Sequence, residues 1–325
     1  MKKLNFSILS AGNIAEKMAR TVSQMDEVQP YAIAARSLDR AQALAEKYGF
    51  QKAYGSYEEL ASDENVDLIY VASPHSHHYE HTKLCLLHNK NVLCEKAFTV
   101  NAKQGKELID LAKSRNLFIM EAVWTRFQPF VKKLHELLDS GVIGEPLTLT
   151  ATFGQKLTHI ERLVSPELAG GALLDLGIYT INFASIFFGT EVEKVISAAI
   201  KTEKGVDAQN SITLVYKNGR MAILNSSFYS AMKNNAVIYG TSGRMEIDKF
   251  WYAQEIRVYS NNEAEPKVYS LPFDFTGYEY EVRAAAKALE QGKLECPEMP
   301  HEETLRILKM MDDLREEWGV HYPCE

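Results

Sequence analysis

Leu4-Asn5-Phe6-Ser7-Ile8-Leu9-Ser10-Ala11-Gly12-Asn13-Ile14-Ala15 is the stretch whose reading decides the fold. Leu4, Phe6 and Ile8 alternate as in a strand and Leu9 adds a buried end, while Ile14, Met18, Val22 and Met25 recur at helical spacing. Between them, Ser10, Gly12 and Ala15 take the three small-residue positions of a G-x-G-x-x-G/A turn, with serine in the first. The central glycine carries the most physical weight, because only a missing side chain lets the backbone approach a pyrophosphate. A helix starting at Asn13 and Ile14 would aim free N–H groups at that charge. One fingerprint with a glycine replaced is weak evidence. Its place on the first strand–helix turn of an alternating domain makes it strong.

Working outward, the alternation continues. Tyr31–Ala35 reads as a strand, and the helix from Leu38 ends at Gly49. Ser56 with Glu59 forms a capping box, and Val66–Ala72 is apolar enough for a strand buried on both faces. A helix over Tyr79–His88, a strand over Asn91–Glu95, an N-cap pair Asn101/Gln104, a helix ending near Arg115 and a sixth apolar run over Leu117–Val123 follow. This pattern predicts an α/β doubly wound parallel sheet of the Rossmann type over residues 1–123.

Residues 124–325 predict an α+β domain for substrate binding and oligomerisation. A helix over Pro129–Ser140 precedes strands at Leu147–Phe153, Val195–Thr202, Ser211–Tyr216, Met221–Phe228, Asn235–Tyr239, Arg244–Ile247 and Ile256–Tyr259. Helices over Leu173–Phe187, Tyr280–Glu290 and Glu302–Trp318 accompany them. The expectation is a large open, mainly antiparallel sheet with one covered face. Its other face, with Tyr216, Tyr239, Trp251 and Tyr259 contributing, is expected to form a homodimer or higher homo-oligomer.

Of the 325 residues, 46% are apolar and 24% charged, and the net charge is -7. That sign argues against nucleic acid or an anionic membrane as partner. No uninterrupted apolar stretch reaches the roughly 18 to 20 residues of a membrane helix, Ile181–Phe188 being too short. The start MKKLNFSILS lacks the apolar stretch and cleavage site of a signal peptide. Cys85, Cys94, Cys296 and Cys324 are scattered without a CxxC, so a reduced, cytoplasmic protein is expected.

After the second strand, where an NAD-preferring domain carries an acidic residue, stand Arg36 and Ser37, with Arg40 one turn further. A guanidinium fork matches a 2′-phosphate, so NADP is expected ahead of NAD. The tract Pro74-His75-Ser76-His77-His78-Tyr79-Glu80-His81 imitates a zinc site, with His78 and His81 at i, i+3, but no metal is expected there.

Three motifs resemble the Gfo/Idh/MocA oxidoreductases: Cys94-Glu95-Lys96-Ala97, Met120-Glu121-Ala122-Val123-Trp124-Thr125-Arg126-Phe127, and Gly170 to Tyr179 as G-G-x-x-x-D-x-G-x-Y. Tyr179 stands where many members have His, which makes the chain most similar to the dihydrodiol dehydrogenase and NADP-dependent xylose dehydrogenase branch. The resemblance implies hydride transfer between a nicotinamide and a hydroxyl- or carbonyl-bearing carbon of a sugar, polyol or cyclic diol. It implies cofactor contacts at Ser73, Pro74, His75, His78, Glu95 and Lys96, and catalysis by Lys96, Asp175 and Tyr179. Lysine and tyrosine ordinarily titrate at about 10.4 and about 10, and placing the two together would lower both. Asp175 and Tyr179, four apart, would share a helix face, with Asp175 positioning Lys96. Arg126, Phe153, His159 and Tyr179 are expected to face the substrate, and the tyrosine shifts the oxidation optimum toward alkaline pH. Ala97 replaces the family's proline, so the bond before it is expected to be trans. The competing readings are an inactive NAD(P)-sensing protein of the same fold and a zinc-dependent enzyme.

Overall fold

The computed structural model describes residues 3–261 and 263–325, so Met1 and Lys2, at the start of the segment weighed as a leader, lie outside the described residues. Residues cluster into two units, Met1–Val123 with Asp274–Lys309, and Trp124–Phe273 with Met310–Glu325.

In the first unit six strands, β1 (Leu4–Leu9), β2 (Val28–Ala34), β3 (Lys52–Tyr54), β4 (Leu68–Val71), β5 (Asn91–Glu95) and β6 (Ile119–Ala122), form one sheet in the order 3-2-1-4-5-6. All neighbours are parallel. The third strand, which the sequence pattern counts without locating, is a three-residue piece at the edge. All four residues of β4 are buried, as a central parallel strand covered on both faces requires. The strand order reverses between β1 and β4, and ligands bind outside the carboxyl ends of strands at such a switch point. The two predicted caps form: Ser56 Oγ accepts from the Glu59 N–H at 3.1 Å, and Asn101 Oδ1 accepts from the Gln104 N–H at 2.8 Å.

Residues 124–325 do not stay together as one domain. Segment Asp274–Lys309 clusters with the nucleotide-type sheet because that sheet has an open edge to satisfy. The N–H of Ile119 on edge strand β6 donates to the Leu294 carbonyl (3.1 Å), and His301 Nε2 lies 2.9 Å from the Ile119 carbonyl oxygen. On the opposite flank, the Thr21 and Thr276 hydroxyls are 2.6 Å apart.

The second unit is built on eight strands: β7 (Pro146–Gly154), β8 (Val192–Lys201), β9 (Asp207–Tyr216), β10 (Met221–Ser227), β11 (Asn235–Gly240), β12 (Gly243–Asp248), β13 (Glu255–Ser260) and β14 (Lys267–Ser270). Their order is 14-13-12-11-7-10-9-8. Every pair is antiparallel except β7 with β10, where the chain crosses over and the two run parallel. Helix Ile178–Phe188 covers one face, against which Leu149, Ala151 and Phe153 of β7 are buried. By length and mean composition Pro166–Phe188 would suffice to cross a membrane, although Glu167, Asp175 and Asn182 interrupt its apolar run as the sequence reading has it. Its apolar window is 89% buried, so its hydrophobicity is consumed in the core of this unit.

The open face carries a row Ile196–Thr213–Ile223–Thr150 across β8, β9, β10 and β7, which ends on β11 at Val237, itself buried. Tyr239 is exposed on this sheet, and Tyr259 is half-buried with the Arg244 guanidinium 3.9 Å above its ring. Tyr216 and Trp251 do not contribute to an open surface as expected. Tyr216 is buried edge-on against Phe188, and Trp251 is buried in an aromatic cluster.

One carboxylate ties the far side of the first sheet together. Asp63 accepts from Tyr31 Oη (2.9 Å), Tyr54 Oη (2.6 Å) and Lys52 Nζ (2.7 Å), and its Oδ1 accepts from the Asn65 N–H (2.9 Å). Burial opposes its charge, but the Lys52 ammonium and these donors outweigh burial and hold the carboxyl well below the usual range. A depressed folded-state pKa contributes stability above the unfolded value of about 3.9, which is lost as pH falls through the folded value. Asp63→Ala is therefore expected to lower stability by about 2 kcal/mol at neutral pH. In urea melts at a series of pH values, its deficit against wild type should shrink below about pH 4.

Candidate active site

At the carboxyl end of β1 the chain turns with Ser10 at φ 108°, a backbone region that glycine ordinarily supplies. Serine thus keeps the conformation of the glycine it replaces. Gly12 caps helix Asn13–Val22 without a side-chain hydrogen bond, so the first-turn N–H groups have no side-chain acceptor at the cap. A Cβ added to Gly12 would meet nothing nearer than Ser10 Oγ at 4.0 Å. The protein itself leaves that space open, so the glycine fits an incoming phosphate better than it fits a packing need. Arg40 Nη2 donates to the Ala11 carbonyl at 2.7 Å, bracing the turn from the first turn of helix Leu38–Tyr48.

Arg36 and Ser37 are exposed after β2, and Arg36 makes no ion pair among the described residues. Ser37 opens helix Leu38–Tyr48 without using its hydroxyl as a cap. Both therefore have donors to spare for a 2′-phosphate. After β4, the Ser73 hydroxyl is buried with no hydrogen-bond partner among the described residues, and Pro74 leads into a short turn that buries His75. This orphaned hydroxyl and the open cradle at Gly12 show that the residues present fit a dinucleotide.

His78 differs from its expected role. It is fully buried, with Nδ1 2.7 Å from the Ala97 carbonyl oxygen and Nε2 2.7 Å from the Ser73 carbonyl oxygen. It ties the loop after β4 to the loop after β5 and presents nothing for a ligand to touch. Burial pushes its pKa down to about 4, with the Lys96 charge adding to burial and the two carbonyls pulling the other way. The Lys96–Ala97 bond is cis, not trans as expected; the backbone after it is held by His78 at the Ala97 carbonyl and by Glu121 Oε1 on the Phe98 N–H at 3.0 Å. Glu95 is buried, accepting from the Tyr70 hydroxyl and, at 3.1 Å, from the Lys96 N–H, so it supports the lysine's backbone from below the surface. Among the described residues no group of three or more His, Cys, Asp or Glu is placed to hold a metal ion.

In the second unit, Asp175 lies in a π-helical turn, Leu173–Gly177, and only from Ile178 does the helix become α. The wider turn changes the four-residue register expected for Asp175 and Tyr179. Asp175 accepts from Arg162 Nη1 at 2.8 Å and Nη2 at 3.4 Å. Tyr179 Oη accepts from the Trp124 indole N–H at 3.2 Å. Phe153, buried, stacks on Trp251 with centroids 3.8 Å apart and stands 5.7 Å from the Tyr179 ring, while Trp124 stacks on Tyr252 at 6.1 Å. Tyr179 is thus the polar tip of an aromatic wall. Arg126 Nε donates to Asn182 Oδ1 at 2.6 Å, and His159 is exposed in the loop after β7. Sequence reasoning missed Arg162 as the partner of Asp175, since nothing in a surface Glu-Arg pair marks it. It placed Trp124 at the crossover without its bond to Tyr179.

Residues 4–123 match the family described as "Oxidoreductase family, NAD-binding Rossmann fold", and residues 131–246 match the Gfo/Idh/MocA C-terminal domain. The chain is 38% identical to trans-1,2-dihydrobenzene-1,2-diol dehydrogenase of Mus musculus and 36% identical to that of Homo sapiens, in each case over 98% of both chains. Among solved structures, the 3-ketoreductase KijD10 from Actinomadura kijaniata with NADP and TDP-benzene has a TM-score of 0.89 at 24% identity, covering 99% of this chain and 98% of that one. Aldose-aldose oxidoreductase from Caulobacter crescentus with glycerol has a TM-score of 0.88 at 21% identity, covering 98% of each. These structural likenesses show the shared fold. With two motif-bearing units in the same order and full-length relatives well above a third identical, the chain belongs to the Gfo/Idh/MocA family of NAD(P)-dependent oxidoreductases.

Proposed function

We propose that this enzyme is an NADP-dependent dehydrogenase or reductase that moves hydride between the nicotinamide and a CH–OH or carbonyl carbon of a cyclic diol, sugar or polyol. The observation that carries the reading is the Tyr179 hydroxyl held by the Trp124 indole N–H inside an aromatic wall. A donor on the phenol oxygen favours the charged phenolate, which is what a tyrosine needs to take a proton from a substrate hydroxyl. Bound NADP supplies the hydride acceptor, or NADPH the donor.

The rest falls to the chain's own residues. Tyr179 accepts or returns the hydroxyl proton. Lys96, at the lysine position of the family motif after β5, is the second catalytic group of this reading. Asp175, clamped by Arg162, fixes the turn that leads into Tyr179. The stacked Phe153–Trp251 pair offers an apolar surface to the C–H face of a ring, and Arg126 and His159 supply polar contacts at its rim. Arg36 and Ser37, with no acidic residue in their place, support NADP over NAD. The names of the full-length relatives support a cyclic diol. The β-branched row on the open sheet face supports a homodimer through that face. Four free cysteines, three of them buried, support a cytoplasmic setting.

The test is turnover by reduced-nicotinamide absorbance over dihydrodiols, aldoses and polyols with NADP and NAD. Wild type should prefer NADP, and Arg36→Glu should lower kcat/KM for NADP by about ten- to a hundredfold, the worth of one or two charge-assisted hydrogen bonds. Lys96→Met and Tyr179→Phe should each lower kcat by about a hundredfold or more, with NADPH affinity retained in Tyr179→Phe. Tight NADPH binding without turnover would instead favour the sensor. Sedimentation should give twice the chain mass; a monomer would overturn the dimer.

A further inference from the structure

Asp207, the first residue of β9, is fully buried, yet no catalytic role above uses it. Its Oδ2 accepts from the Leu173 backbone N–H and from Asn210 Nδ2, both at 2.8 Å. Asn210 Oδ1 accepts in turn from Ser226 Oγ at 2.9 Å. A Cβ on Gly177 would stand 3.1 Å from that same hydroxyl. Gly171 adopts φ +123°, and a Cβ there would come within 2.3 Å of Asp207 Oδ1, so only glycine lets the turn close on the carboxylate. On the other side the Tyr322 hydroxyl donates to the Gly170 carbonyl at 2.6 Å. The buried chain Asp207–Asn210–Ser226 therefore meets the segment at Gly171, Leu173 and Gly177. Those three points bracket Asp175 and end two residues before Tyr179.

We infer that Asp207 is the positioning residue of this active site, whose ionised carboxylate holds the π-helical turn so that Asp175 and Tyr179 sit in working register. The inference rests on the dehydrogenase reading above and adds to it the group that sets its geometry. Asp207 touches neither substrate nor cofactor; it acts through the Leu173 N–H.

The groups facing Asp207 are few. Arg315 of helix His301–Trp318 favours the anion, although its own guanidinium is shared with Asp312 at 2.9 Å and with Glu325. Tyr322 faces it from the C-terminal segment, and burial with the nearby Asp207 charge pushes the phenol well up, so Tyr322 stays neutral. Burial raises the Asp207 carboxyl to about 7, against the opposing pull of Asn210, the Leu173 N–H and Arg315. Its Oδ1 has no hydrogen-bond partner among the described residues, so a proton arriving there finds no acceptor. Protonation replaces two charge-assisted bonds on Oδ2 with weaker neutral ones. The turn is thus held firmly above neutral pH and loosely below it.

The test compares wild type and Asp207→Asn in NADP-linked turnover from pH 5.5 to 9 (roughly the range about a pKa near 7), with NADPH affinity measured in parallel. Wild-type kcat should fall on the acid side with an apparent pKa near 7. Asp207→Asn should lose that limb and lower kcat by about tenfold, the scale of a small misplacement of reacting groups, with NADPH affinity unchanged. A merely structural role would change thermal stability and leave the pH profile alone. Asn210→Ala removes one of the two donors on Asp207 Oδ2 and should move the limb to higher pH with NADPH affinity unchanged, so it decides the matter if Asp207→Asn fails to fold. Wild-type kcat and pH dependence in the folded variants would overturn the inference alone. Absence of turnover in the wild type would overturn the dehydrogenase reading and this inference with it.

Discussion

Backbone N–H groups at the end of β1 need an anion, and much of the first unit follows from that. A parallel sheet must bury both faces, so its helices run back over it and their amino ends converge at the carboxyl edge of the strands. Where the order reverses between β1 and β4, that edge opens a crevice lined by helix amino ends and short turns. Gly12 keeps the crevice clear of side chains, Ser10 bends the chain into it, and Arg40 braces the bend. Ser73 adds a buried hydroxyl with no hydrogen-bond partner among the described residues. Each of these residues gives up some local comfort, and a bound dinucleotide accounts for all of them at once.

The chemistry of the second unit depends on a similar restraint. Helix Ile178–Phe188 is apolar on nearly all sides and buried, so its polar residues must be matched individually. Asn182 closes on its own helix at the Ile178 carbonyl and receives Arg126, while Tyr179 receives Trp124. Asp175 has Arg162, and the turn beneath it has Asp207. The π-helical turn is where the helix yields to satisfy these partners together, as such turns often do at functional sites.

Much of this was legible in the sequence. The alternation of apolar runs and helical patterns up to Val123 reads directly because a strand covered on both faces is mostly apolar. The caps at Ser56 and Asn101 read because their chemistry is local. Strand β3 escaped location because three residues carry no periodicity, and β14 was missed because Lys267–Ser270 alternates too briefly at an edge. Segment 274–309 clusters with the first unit and not the second because it meets the edge of β6 across 175 to 182 residues of sequence, and no local pattern encodes that pairing. The same limit governs the site. Lys96, Asp175 and Tyr179 stand in recognisable motifs, but Arg162 and Asp207 act through contacts made only by folding. His78 shows the converse: a histidine in a suggestive tract proves to be a buried tie between two loops.

The most direct test of the central claim follows the hydride itself. The protein would be incubated with NADPH deuterated at the transferring position and a set of cyclic and sugar-like ketones and aldehydes, with products read by mass spectrometry. Direct hydride transfer gives an alcohol carrying one deuterium on the new CH–OH carbon, formed in step with NADPH loss and about a hundredfold or more slower with Tyr179→Phe. NADPH bound tightly but recovered with its label intact in the presence of every carbonyl compound would contradict it.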